Sequence, residues 1–208
     1  SCYSILTAAG YFTLGNRKYA FTTVAFYITG FEEYRRSIID HLYQDKLFHW
    51  GPEIRALASL SLRGLTKLDV DYFAATVLTY LLEYTTHENL FVRHGVVIGV
   101  ADIEFELGDV AVDITGGKLV MTDGILLSLS NLAAVIEKAR LYRGRGGEIM
   151  RSAVSRYIEC MARSTIPLTA KQQVHILDTL DANLKHPNEV VQKASRDGIY
   201  AVTRTWEK

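Results

Sequence analysis

The spacing of the residues able to do chemistry decides whether the chain can work as an enzyme. Gly116-Gly117-Lys118 has the ingredients of a phosphate loop. It lacks the GxxxxGK[ST] spacing, and Leu119 stands where a hydroxyl would bind magnesium. The chain holds no GxSxG elbow, HExxH helix, DxDxDG loop or GxGxxG turn. Glu104 and Glu106 are two apart and face different sides of a helix, so they do not form a working carboxylate pair. His41, His49, His87, His94, His175 and His186 never recur at three or four residues, the spacing that puts two metal ligands on one helix face. Cys2 and Cys160 belong to no CxxC pair or Cys/His cluster. The expectation is a protein that is not an enzyme and takes no cofactor and no metal.

Two segments suit binding better than catalysis. Leu141-Tyr142-Arg143-Gly144-Arg145-Gly146-Gly147-Glu148 sets two arginines among three glycines just before a helix. It reads as a tight turn needing positive φ, or as a contact for an acidic protein surface; one short copy gives little ground for nucleic acid. His49-Trp50-Gly51-Pro52 falls between two helical patterns. Its Trp reads as a plug over the core end or as a binding hot spot.

The elements that must position these residues are helices. The 208 residues carry only three prolines, Pro52, Pro167 and Pro187, each between stretches of helical periodicity. Pro52 and Pro187 sit near first turns, and Thr169 with Gln172 has capping-box spacing. Over 31–47 the apolar stripe is Phe31, Tyr34, Ile38, Ile39, Leu42 and Leu47; over 54–68 it is Ile54, Leu57, Ala58, Leu62, Leu65 and Leu68. Segments 72–84 and 92–107 are apolar on more than one face, as helices clamped between neighbours are. An irregular insertion is expected over 108–124, with a β-hairpin as the alternative.

Aligning the helices exposes a repeat. NRKYAFTTVAFYI, IRALASLSLRGL, VRHGVVIGVADI, MRSAVSRYIECM and VQKASRDGIYAV share one register, with Arg17, Arg55, Arg93, Arg151 and Gln192 in second place. The intervals are 38, 38, 58 and 41 residues, so the third holds about twenty extra, which fits the expected insertion. A period near forty with two helices per period predicts an all-α HEAT/armadillo-type α-solenoid of about four to five repeats, a single segment over 1–208. Ala58, Gly95 and Ala153 lie at or near one phase, where small side chains let helices approach. The recurring Arg reads as solvating a helix start or pairing with a carboxylate of the next repeat; a ligand contact is the alternative.

Lys and Arg number 23 against 23 Asp and Glu, which argues against nucleic acid and anionic membrane as partners. No apolar run reaches the roughly 18 residues a spanning helix needs. A cytoplasmic protein is expected. The opening Ser1-Cys2-Tyr3, without Met, reads as the interior of a longer polypeptide.

Three ordered blocks carry a family resemblance: Ile39-Asp40-His41-Leu42 before His49-Trp50 and Ile54-Arg55-x-Leu57-Ala58; Arg93-His94-Gly95; and Leu141-Tyr142-Arg143-Gly144-x-Gly146-Gly147 with Met150-Arg151. Together they resemble the tubulin-folding cofactor D family, large HEAT-repeat chaperones, over about 23–161. The pattern departs at Gly51-Pro52, in place of an Asp-Gly-type turn, and around Gly116-Gly117. The resemblance implies a scaffold that binds β-tubulin and the α/β-tubulin dimer. It also implies tubulin cofactors C and E and an Arf-like small GTPase as partners, and a cytoskeleton-associated location. Arg93 and His94 from the second block, and Tyr142, Arg143 and Arg145 from the third, are the candidate partner-binding residues. The competing expectations are an importin-like HEAT scaffold, which calls for acidic patches or Trp/Asn ladders, and a helical DNA glycosylase, which calls for a basic chain.

Overall fold

The computed structural model describes residues 17–115, 121–164 and 166–206, and among these it contains nine helices and no strand. Helix α1 covers 17–29, with a π-helical turn at Ala20–Val24. Helix α2 is Glu32–Gln44, and a 3₁₀ turn at Lys46–Phe48 leads to α3, Pro52–Thr66. Helix α4 covers 70–83 with a second π turn at Phe73–Val77, and α5 is Leu90–Thr115. Then come α6 (Asp123–Lys138), α7 (Gly147–Arg163), α8 (Ala170–Leu184) and α9 (Glu189–Trp206).

The start signals act as their chemistry requires. Pro52 takes the first position of α3, where its missing N–H has no partner to lose. Thr169 and Gln172 close a full capping box on α8. Asn188 Oδ1 accepts the Val190 N–H at the start of α9. The expected stripes are buried at Ile38, Ile39, Leu42, Leu47, Ile54, Ala58, Leu62 and Leu65, while Phe31 and Tyr34 lie outside the core. At 108–124 the expectation needs correction. Residues 108–115 neither form a hairpin nor break into irregular chain; they continue α5, whose Val110 is buried. Apolar residues every second position also fit a helix packed on more than one side. Residues 116–120 lie outside the described residues.

The odd-numbered helices α3, α5, α7 and α9 pack side by side as one layer, and the even-numbered ones pack on them as a second, looser layer. That is the paired-helix stack of the HEAT/armadillo type. Polar rungs cross the odd layer: Ser59 Oγ donates to Asp102 at 2.6 Å, and Arg63 and Arg156 reach the same carboxylate at 3.9 and 3.2 Å. Of the three small residues Ala58 and Ala153 are buried in the core and Gly95 lies at a close approach. A Cβ on Gly95 would lie 1.7 Å from the Leu47 carbonyl oxygen, so the 3₁₀ turn of one repeat rests on the bare backbone of the next.

Deep in this core Glu104 is fully buried between α5 and α7. Burial pushes its carboxyl up to about 8, with the Ser164 and Tyr157 hydroxyls offsetting part of the rise. The Ser164 hydroxyl donates to Glu104 at 2.9 Å. Cys160 is a core thiol that burial pushes up to about 12, which leaves it unreactive at neutral pH.

Candidate partner-binding edge

The turns that lead from each even helix into the next odd helix all lie along one edge of the stack, and all five candidate residues are found there. Three of these turns share a closure that sequence reasoning missed. His49, His87 and His186 stand six residues before Arg55, Arg93 and Gln192. In each, the His Nδ1 accepts the backbone N–H two residues on, at 2.9, 3.0 and 3.2 Å. The later residue then reaches back to the carbonyls of the turn. Arg55 donates to His49 O and Trp50 O, both at 2.8 Å. Arg93 donates to His87 O at 3.3 Å and Glu88 O at 2.6 Å, and Gln192 to His186 O at 2.8 Å. Each closure satisfies polar backbone groups that the helix start leaves open. The signal was present in the sequence as a His repeating at the 38-residue interval of the Arg. Counting histidines only against one another, at metal-ligand spacing, hid it.

The recurring Arg therefore serves the turn, and Arg17 follows the other expected use by pairing with Glu53 of the next repeat at 3.5 Å. Arg93 is buried, with its Nη1 directed into its own turn and its Nε buried without a hydrogen-bond partner among the described residues. His94 bridges repeats, because its Nδ1 accepts from Arg55 Nε at 3.0 Å. Burial, with a smaller contribution from the Arg55 charge, lowers its pKa to about 4. The ring is thus neutral at physiological pH, and with Nδ1 accepting, the proton resides on Nε2. It lines a shallow pocket of about 300 Å³ with Glu148, Ile149, Ser152, Asn188 and Val190.

The α6–α7 turn is built differently. Position 145, six before Arg151, holds an exposed arginine instead of a histidine. Gly144 at φ 71° and Gly146 at φ 89° fold the chain back, and the Gly147 N–H closes onto Gly144 O at 3.1 Å. Gly146 packs on Leu90 and a Cβ on Gly147 would strike the Tyr142 carbonyl, so the positive-φ turn is also tightly seated. Arg151 turns instead to Asn183 Oδ1 at 2.6 Å and stacks beneath Tyr142, 5.0 Å from its ring centre. Tyr142 points inward, with its hydroxyl buried beside Glu137, His175 and Asp178. Arg143 and Arg145 are exposed. The structure thus separates the candidates into two inward-facing residues, Arg93 and Tyr142, a bridging His94, and two arginines open to solvent.

Trp50 is 70% exposed, so it does not plug the core; that expectation fails because Leu47, from the 3₁₀ turn, already fills the space against α5. Instead Trp50 stacks on His49 and opens a row of exposed apolar side chains, Phe91, Ile149 and Val190, the last three each two residues before the recurring Arg or Gln. Such a row along the edge is what a partner with apolar side chains could cover.

The chain is similar, at 28% identity over 156 residues, to tubulin-specific chaperone D of Dictyostelium discoideum. That match takes in 74% of this chain but only 10% of the relative, so the chain spans about a tenth of the protein it resembles. No protein-family model matches the chain. Among the described residues, no helix is long and apolar enough to cross a membrane, and no cluster of His, Cys, Asp and Glu is arranged to hold a metal.

Proposed function

We propose that this chain is part of a tubulin-folding chaperone scaffold of the cofactor D kind, which holds its partners by surface complementarity and carries out no chemistry of its own. The observation that carries the reading is the distant similarity to tubulin-specific chaperone D, extending over a stack whose repeats present an exposed edge. Tubulin is the first partner in this reading, followed by cofactors C and E and an Arf-like GTPase, in the cytoplasm and on the cytoskeleton. The row of Trp50, Phe91, Ile149 and Val190 supplies the apolar part of the contact, with Arg143 and Arg145 at its charged flank. Buried, desolvated apolar anchors dominate such interfaces.

The test is capture of purified α/β-tubulin by the full chain. Trp50→Ala combined with Val190→Ala is expected to weaken capture about tenfold, as loss of hot-spot side chains does, without loss of helix content. Absence of capture by the native chain would overturn the tubulin reading. Undiminished capture by the double variant would remove the edge from it.

A further inference from the structure

We propose that the α6–α7 turn is a docking point for an acidic polypeptide segment. Lys138, Arg140, Arg143 and Arg145 put four cations into eight residues, all exposed. Among the described residues none of the four takes part in an ion pair or a side-chain hydrogen bond. Some other exposed cations of the stack do have partners, such as Lys185 with Asp181 at 2.6 Å and Lys193 with Asp197 at 2.8 Å; Lys18, Lys171 and Arg196 are exposed singly along the chain, so what sets the turn apart is the clustering of four.

Helix electrostatics divides the four. Lys138 and Arg140 sit at the carbonyl end of α6, where positive charge is favoured. Arg143 and Arg145 precede the N-terminus of α7, where the helix dipole opposes positive charge. No side chain among the described residues pairs with them there. Arg140 is held at φ 58°, the left-handed residue of a Schellman-type cap in which its N–H reaches Glu137 O and the Leu141 N–H reaches Ile136 O. Glycine is the residue that this position favours on conformational grounds, yet an arginine occupies it. In three other turns the place of Arg145 is taken by a histidine that closes the backbone; here the glycines close it and the side chain is left exposed.

The nearby carboxylates are turned to other partners, so among the described residues none pairs directly with the four cations. Glu137 Oε2 lies 3.2 Å from His175 Nε2, Glu148 accepts from Asn188 at 2.9 Å, and Asp178 lines the inner pocket below Tyr142. A nucleic acid fits less well than a polypeptide. The aromatic residue of the turn, Tyr142, has its ring against Arg151 and its hydroxyl buried, so it offers no open platform on which a base could stack. Carboxylates need only the forked guanidinium groups that the turn displays.

The proposal rests on this geometry and not on the tubulin reading, so its test uses a synthetic ligand. A short fluorescein-labelled oligoglutamate is titrated with the full chain at low and moderate salt, and anisotropy is read. Arg143→Glu with Arg145→Glu is expected to weaken binding about tenfold or more and to flatten its salt dependence. Lys185→Glu with Lys193→Glu, which changes net charge equally, is expected to leave the affinity within about twofold, because those lysines already have partners. Circular dichroism reports whether the fold is kept; should the glutamates disturb it, Arg143→Gln with Arg145→Gln is read by the same criterion. Equal losses in the two charge-reversed pairs, or no loss in the arginine pair, would overturn the proposal. So would a single-stranded RNA of matched charge that displaces the peptide at lower concentration than unlabelled oligoglutamate does.

Discussion

Replacing Gly95 by alanine tests how the repeats stack. In a free helix the change is favourable, since alanine exceeds glycine in helix propensity by about 1 kcal/mol. In this stack the new methyl carbon would sit 1.7 Å from the Leu47 carbonyl oxygen, 2.7 Å from its carbon and 3.2 Å from Arg55 Cδ. The closest obstacle is backbone, so relief requires the 3₁₀ turn Lys46–Phe48 to move, and with it the fully buried Leu47. Overpacking of this kind costs about 1 to 3 kcal/mol, and more where backbone must shift; taking about 4 here and crediting about 1 for propensity leaves a net loss of about 3. Gly64, in the last turn of α3, is the control, because a Cβ there meets nothing within 4 Å. Gly64→Ala should gain at most about 1 kcal/mol from propensity alone, since the position is in the last turn. With a urea slope of about 2 kcal/mol per M, the midpoints move about 1.5 M down for Gly95→Ala and up by no more than about 0.5 M for Gly64→Ala. The assay is urea unfolding followed by circular dichroism. A Gly95→Ala midpoint at or above that of the native chain would refute the close approach of the α2–α3 turn to α5.

Two further expectations use the same assay. Arg55→Ala leaves two turn carbonyls and His94 Nδ1 without their donor, so it should cost about 3 kcal/mol, whereas Gln192→Ala, which gives up one bond, should cost about 1; equal effects would argue against the closure. Glu104 has its folded pKa raised to about 8 from an unfolded value near 4.5. The folded state therefore holds the extra proton between those values, and stability falls as pH rises through the window, by up to about 1.4 kcal/mol per unit. Glu104→Gln should remove that slope, so that the variant gains on the native chain from pH 5 to about 8; parallel pH profiles would mean the carboxyl is not buried as described.

The helices, their paired phase and their starts were legible in the sequence because they rest on local rules. Stripes at three- and four-residue steps, proline at a first turn, the Thr169 and Gln172 box and an arginine recurring at a fixed interval all act within a few residues or at one period. The glycine turn of 144–147 was legible for the same reason. The helical character of 108–115 was not, because three apolar residues at every second position, Val110, Val112 and Ile114, are too short a pattern to tell a strand from the continuation of a helix. Nor was the fate of Trp50, since the space it was expected to plug is filled by Leu47. The candidate residues shared that limit. Arg93 and Arg143 are the same residue type on the same edge of the stack, yet one is buried against the carbonyls of a His-closed turn and the other stands in solvent on a glycine-closed one. Spacing fixes where a side chain enters the stack; which partners it meets there depends on how its own turn closes and on the neighbouring repeat, and those contacts exist only once the chain is packed.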